Sequence, residues 1–464
     1  MAAKTNLLKA LQLSTKVLSR EERKASGKSL REKIPRKSQG EWNAPSHRRD
    51  PVDVLIESSK GRVPHLVPIR YGRMMQSPFA FFRGAAAIMA ADLANTPTSG
   101  IRVQACGDCH LLNFGGFGTP ERRIIFDIND FDETLPAPWE WDVKRLAASF
   151  VIAGQNNGFT KAEARECAAR CVQSYREHMQ SYAEMGVLEM WYERIDHENL
   201  LALIQSKEWR KRVQRRIAKE SSRSVVDDDF PKLAIVKNGK PEIKDNPPLI
   251  FHQSRLELVK YDANVKEAFR RYRETLSDDL KALLDRYEIK DVALKVVGVG
   301  SVGTRCAILL LMASDGEPLF LQVKEARASV LEPYAGNSVY PNRGQRVVAG
   351  QKIMQSASDM FLGWTEEGGH HYYIRQLRDI KIKTVVEILD PAALKSYADW
   401  CGWALAQAHA KSGDAATISG YLGKGTIFDE AIANFAVSYA DQNEQDHQAL
   451  LNAIRDGKIE IFQE

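Results

Sequence analysis

Three patterns overlap in residues 106–116, CGDCHLLNFGG. Cys106-Gly-Asp-Cys109-His110 fits the C-x-x-C-H of covalent haem attachment, and its two cysteines fit a redox or metal pair. The same letters contain G-D-x-H-x-x-N, with Asp108 and Asn113 five apart. Downstream, Asp130-Phe131-Asp132 follows an apolar run, RRIIFDIN. Much further on, Gly298-Val-Gly300-Ser-Val-Gly303 precedes Lys324 in LFLQVKEA. Together the last three patterns supply the residue types that phosphoryl transfer uses. That reaction asks one carboxylate to orient and deprotonate the acceptor, and an Asn and an Asp to hold Mg²⁺ ions that bridge the phosphates. Asp127, Asp130, Asp132 and Glu133 place four acids within seven residues. Such acids repel one another unless a cation compensates, which favours a metal site over solvated turn residues. Glycines let a backbone approach anionic oxygens with no Cβ in the way.

The rival readings of the cysteines are weaker. Covalent haem is attached outside the cytoplasm, and the first residues carry no export signal. A four-cysteine zinc site would need Cys167 and Cys171, which lie four apart on a helix face with Ala164 and Ala168. Small buried cysteines packing a core explain that spacing as well. A thioredoxin-like pair would open a helix, whereas LLNFGG reads as a loop.

These residues need a scaffold. A chain of 464 residues exceeds one ordinary core, so two lobes are expected. Its net charge of +5 balances 65 basic against 60 acidic side chains, so nucleic-acid binding is not expected. The basic run in SKEWRKRVQRRIAKE reads as a solvated helix face. No apolar run reaches the ~18 residues that span a membrane. The longest, Ala307 to Ala313, has strand length, and a cytoplasmic protein is expected. Residues 1–60 read as an extended arm with one helix. SPFAFFRGAAAIMAADLA is a helix capped by Ser77 with Pro78 in its first turn. IRVQACGD and Ile124 to Ile128 are strands, and PWEWDVKRLAASFVIAG is a helix. Residues 160–220 are helical. KLAIVKNGKPEI is a hairpin turning at Asn238-Gly239, and VKEAFRRYRETLSDDLKALLDRY is one long helix. DVALKVVGVGSVGTRCAILLLMASDGEPLFLQVKEA is three strands in series, followed by a helix in RGQRVVAGQKIMQSASDMFLGW and a strand in HHYYIRQLRD. SYADWCGWALAQAHAKSGD and residues 427–455 are helices. The glycine run is followed by a strand, which removes the dinucleotide-fold reading of G-x-G-x-x-G.

GDCHLLN, then INDFDET, then WDVKRLAAS resemble the aminoglycoside and choline phosphotransferase branch of the protein-kinase-like superfamily. The chain as a whole, from LVPIRYGRM and SPFAFFRGAA through FDINDFDET to GQRVVAGQKIMQ and YYIRQLRD, resembles the bacterial DUF2252 family. The motif order differs from that of kinases, because the catalytic loop and metal Asp precede the glycine loop and Lys. The resemblance therefore implies an α+β, protein-kinase-like two-lobe fold that is circularly permuted. It implies an N-terminal arm (1–60), a mainly helical lobe (61–290), a small antiparallel-sheet lobe (291–380) and C-terminal helices packing on the helical lobe (381–464). It implies Asp108 as the base, with His110 near the γ-phosphate. Asn113, Asp130 and Asp132 would hold Mg²⁺. Gly298, Gly300, Gly303 and Lys324 would hold ATP, and Asp142 would brace the loop. Glu332 is the acid best placed to pair with Lys324, with Gln351 as a polar substitute. The expected partners are a nucleotide and a small-molecule acceptor. AMP transfer from the same site, and a nucleotide-binding scaffold without catalysis, are the alternatives. Arg70, Arg73 and Arg83 could bind an anion or serve structurally.

Overall fold

The computed structural model describes residues 7, 9–11, 18–204, 206–222, 225–252, 258–296, 298–377 and 380–462. Its first helices are α1 (Arg20–Lys33), α2 (Pro51–Ser59), α3 (Val67–Met74), α4 (Pro78–Gly84) and α5 (Ala86–Leu93). Ser77 caps α4 by accepting from Ala80 N at 3.1 Å, with Pro78 at the first helical position. Residues 20–60 thus hold two α-helices, because Asp50 caps a proline-led helix at Pro51 in addition to α1. Most of residues 1–17 lie outside the described residues.

Four short strands follow: β1 (Arg102–Ala105), β2 (Phe114–Gly118), β3 (Ile124–Ile128) and β4 (Leu135–Pro138). Then come two long helices, α6 (Trp139–Asn156) and α7 (Lys161–Glu184). β1 pairs with β4, and β2 with β3, both antiparallel. The FGG stretch that reads as a loop is the middle strand of a three-stranded sheet, between β3 and Lys381–Lys383. Its glycines allow that pairing, since a Cβ on Gly115 would sit 2.7 Å from Ile382 O. α6 is buried from Trp139 to Gly154, the mark of a helix enclosed on every side. It therefore carries Asp142 and Arg145 into the interior.

β5 (Ala234–Lys237) and β6 (Lys240–Ile243) form the expected hairpin, with positive φ at Asn238 and Gly239. β7 (Ile250–Phe251), β8 (Tyr287–Lys295), β9 (Cys306–Ala313), β10 (Pro318–Glu325), β11 (Gly363–Glu367) and β12 (His370–Gln376) build a six-stranded antiparallel sheet in the order β11-β12-β10-β9-β8-β7. α8 (Arg343–Met354) lies between β10 and β11 in the chain and packs on β12 and β11. The long helix expected before β8 is two, Leu258–Glu274 and Asp278–Leu284, because Ser277 between them is extended. Arg378 and Asp379, read as part of a strand, lie outside the described residues.

The chain closes with α9 (Pro391–Ser412), α10 (Ala415–Leu422) and α11 (Ile427–Arg455). α9 packs along α7, and α11 on α6 and α7, so the largest core joins residues from Phe79 to Ala440. The fold is α+β with antiparallel sheets. Among the described residues no helix is long and apolar enough to cross a membrane.

Candidate functional site

The loop after β1 is held from below by one buried carboxylate. Asp142 accepts from Cys106 N at 2.5 Å through Oδ2 and from Gly107 N at 3.0 Å through Oδ1. His409 Nε2 stands 3.3 Å from the same Oδ2, while its Nδ1 meets Tyr175 OH at 2.9 Å. α6, α7 and α9 thus share one hydrogen-bonded post under the loop. Gly107 has φ +82, and a Cβ there would come 2.5 Å from Glu133 O. Asn113 Nδ2 closes the loop onto Asp108 O at 2.7 Å.

Asp108 projects above this post. Arg145, three residues after Asp142 on α6, grips Asp108 Oδ1 with Nε at 2.8 Å and with Nη2. Arg145 also donates to Phe82 O at 3.0 Å and lies over the Phe82 ring. Oδ2 of Asp108 is 3.9 Å from His110 Nε2. Burial pushes the His110 imidazole down to about 4, with Asp108 opposing that shift and Arg145 and Arg83 adding to it. Among the described residues its Nδ1 has no hydrogen-bond partner.

The four crowded acids part company. Asp127 turns aside to accept from Ser356 N and Oγ, at 2.9 and 3.0 Å. Glu133 accepts from Val330 N at 2.7 Å. Asp130 and Asp132 remain together, and the compensating cation is Lys324. Its Nζ is 2.7 Å from Asp132 Oδ2 and 3.9 Å from Asp130 Oδ2. Asp132 also accepts from Ser301 Oγ at 3.0 Å and from Tyr373 OH at 2.6 Å. Burial would raise Asp132, but Lys324 and these hydrogen bonds outweigh it and hold the carboxyl at about 2. Asp130 moves the other way, raised by burial and then by the charge of Asp132. Lys324 is raised well above the usual lysine range, since the two acids overcome its burial.

The glycine turn reaches the same place. Gly298 is exposed, Gly303 has φ +83, and Gly300 lies between. A Cβ on Gly300 would stand 3.8 Å from Asp108 Oδ2. Asp108, Asn113, Asp130, Asp132, Gly300 and Lys324 therefore converge, and residues 108–132 meet residues 298–324 as the motif reading requires. Glu332 does not join them. It accepts from Ser329 N at 3.4 Å beside its own short helix, and the acid paired with Lys324 is Asp132. Gln351 bonds to Gln355.

Arg145, Ser301, Tyr373 and Arg375 were not singled out from the sequence. Arg145 had a signal, an arginine one helical turn after Asp142. Tyr373 had none, because its place opposite Lys324 depends on the β10–β12 register. Arg70 is structural in a way ion pairing does not describe, donating to Ser59 Oγ, Leu55 O and Gly84 O. All six cysteines are free and buried. Burial raises the Cys109 thiol well above its ordinary range, the state of an inert core thiol. Among the described residues no three His, Cys, Asp or Glu side chains are grouped to hold a metal. A cavity of about 400 Å³ opens on the face of the sheet opposite Lys324, and it is lined by none of the expected site residues.

No curated protein and no solved structure matches this chain. A family model described as "Uncharacterized protein conserved in bacteria (DUF2252)" matches residues 62–453. That span covers most of the 464 residues and every residue of the site, and the chain belongs to the DUF2252 family.

Proposed function

We propose that the chain is an ATP- and Mg²⁺-dependent phosphotransferase with a circularly permuted, kinase-like two-lobe fold, acting on a small-molecule acceptor. The observation that carries this reading is the convergence at Gly300: Asp108 Oδ2 lies beside it, while Ser301 and Lys324 both bond to Asp132. A glycine turn between two antiparallel strands, a lysine on the next strand and a helix after it form the phosphate-binding half of a kinase. β8, β9, β10 and α8 supply that sequence of parts in this chain. The helix lacks a glutamate for the lysine, and Asp132 takes that position.

In this reading Asp108 receives the acceptor's proton on Oδ2, while Arg145 fixes the carboxylate through Oδ1. The ammonium of Lys324 has three donors, so it can meet a phosphate while keeping Asp132. Asp130 suits a divalent cation, because its side chain is 35% exposed, stands beside the charge of Asp132 and, among the described residues, accepts only a 3.3 Å bond from Asp132 N. Asn113 has its amide nitrogen committed to Asp108 O, which leaves its oxygen as the atom to offer. When bound there, Mg²⁺ would neutralise charge on the bridging phosphate oxygens.

The test is thermal shift with ATP and Mg²⁺, together with transfer from γ-labelled and α-labelled ATP. Asp130→Asn is expected to abolish the Mg²⁺-dependent part of the shift. A shift that survives Asp130→Asn overturns the metal assignment. Label carried over from the α position instead of the γ position makes the chemistry AMP transfer.

A further inference from the structure

The cations around this site are mostly spoken for. Arg145 serves Asp108 and Phe82 O, while Lys324 serves Asp132 and Asp130. Arg375 donates to Asn129 O and Gln322, and Arg346 to the carbonyls of Asp132, Thr134 and Arg327. Arg62, Arg70 and Arg327 spend themselves on carbonyls at the C-terminal end of α2 and the turn after it, where the helix dipole is negative. Arg83 is different. Among the described residues no carboxylate lies within 4.0 Å of its guanidinium. Among the described residues its Nε is shielded from solvent with no hydrogen-bond partner, an arrangement that is costly unless something else supplies an acceptor.

Its backbone is fixed from both sides along the chain. Phe82 O receives Arg145, and Gly84 O receives Arg70. The Arg83 carbonyl oxygen lies 3.3 Å from where a Cβ on Gly300 would stand, and Asp108 Oδ2 lies 3.8 Å from that same point. Arg83 is also within electrostatic reach of Asp108, whose other oxygen Arg145 already holds. Two guanidinium groups thus attend Asp108, and Glu387 is the other carboxylate within electrostatic reach of Arg83.

We propose that Arg83, at the meeting of the glycine turn and Asp108, binds the oxygens of a phosphate-type anion. This rests on the phosphotransferase reading and deepens it. The anion has two sources: the phosphoryl group in transit, or an acidic group on the acceptor. In the transfer, the acceptor oxygen bonds to phosphorus as the bond from phosphorus to the bridging oxygen breaks. The electron pair leaves with the nucleoside diphosphate, and the acceptor's proton passes to Asp108. Arg83 forms no bond to phosphorus and offsets charge on the oxygens that do not react.

The experiment compares thermal shifts of the full chain with Mg·ATP, with Mg·ADP, and with inorganic phosphate added to Mg·ADP. The wild type is expected to respond to ATP more than to ADP, or to phosphate on top of ADP. If the phosphoryl group in transit is the ligand, Arg83→Gln weakens ATP binding about tenfold, the worth of one charge-assisted hydrogen bond, and spares ADP. If the acceptor's acidic group is the ligand, Arg83→Gln keeps the ATP-to-ADP difference and loses the phosphate response. Arg83→Lys, which keeps the charge without the planar fork, is expected to retain part of either response and serves if Arg83→Gln does not fold. A folded Arg83→Gln, or failing it Arg83→Lys, that matches the wild type with all three probes overturns the proposal. So does a wild type that none of the three shifts. A phosphate response lost in Arg83→Gln, in a wild type that ignores both nucleotides, keeps the anion site and overturns the phosphotransferase reading.

Discussion

His110 sits two residues from Asp108, yet its environment is the opposite of a solvated histidine's. It is 5% exposed, faces Asp108, Arg145 and Arg83, and is held at about 4 against an ordinary value near 6.5. A folded value below the unfolded one means that the unfolded chain binds the proton more tightly between pH 6.5 and 4. This contribution to stability is complete above pH 6.5 and is lost as pH falls toward 4. At pH 5 the loss amounts to about 2 kcal/mol. Urea unfolding at pH 7 and pH 5 checks it: the acid-induced loss should be smaller in His110→Phe by about that amount. Equal losses in the two proteins would show that His110 titrates normally. The same residue marks how far the motif could be read. Asp108, Asn113, Asp130, Asp132 and Lys324 announce themselves by type and spacing. The neutrality of His110 does not, because a letter carries no burial. Nor does the separation of Asp127 and Glu133 from Asp130 and Asp132. Adjacent acids look alike in sequence until each finds its donor, Ser356 for one and Val330 for another.

Among the elements, the crossing of α7 and α9 decides how the loop's post is built. His409 and Tyr175 lie on these two helices and reach each other only because the helices come close. Gly402 makes that approach, since a Cβ there would collide with the Cys171 carbonyl oxygen and come 3.0 Å from Ser174 Cβ. Cys167, Cys171 and Cys401 are buried with small alanines around them and serve as compact packing. Gly402→Ala should lower unfolding stability by about 1–3 kcal/mol despite alanine's better helix propensity, because the obstacle is backbone. A rise in the urea midpoint would mean that the helices have room to spare. Elements such as these, with long apolar periods or clear caps, were legible: β3, α6, α9 and the Asn238-Gly239 hairpin stand where the sequence puts them, whereas the helix read over residues 77–94 breaks at Ala85 into α4 and α5. β2 was not, because its glycines signal a loop and are there for the nearness of Ile382. The helix before β8 was read as continuous because its polar break at Ser277 interrupts no charge pattern.

At the scale of the whole molecule, the first sixty residues read as an arm, but residues 20–60 are built into the body. Arg31 and Arg36 donate to the carbonyls of Gly420, Tyr421 and Leu422, capping the end of α10. Arg48 goes deeper. It forms paired hydrogen bonds of 2.8 Å with Asp92 on α5 and bonds of 2.8 and 2.6 Å with Asp446 on α11. Its side chain is 12% exposed and the two acids 4% each. One cation therefore ties three distant parts of the chain and separates two buried carboxylates. Exposed ion pairs elsewhere on the surface contribute little by comparison. Arg48→Ala should cost about 3–5 kcal/mol, the penalty for leaving buried charge without its partner. The deficit should depend on pH. With Arg48 gone, Asp92, which burial already raises, loses the cation that opposes that shift, so its folded value rises further above the unfolded one. A folded state that binds the proton more tightly gains relative to the unfolded one as pH falls, so the gap to the wild type should narrow from pH 7 toward pH 5. Adding Asp92→Asn and Asp446→Asn should recover part of the loss at pH 7 and flatten the pH dependence. Urea midpoints of the four proteins at both pH values give the measurement. A deficit under about 1 kcal/mol that does not change with pH would place Arg48 with the surface pairs and leave the N-terminal segment an arm after all.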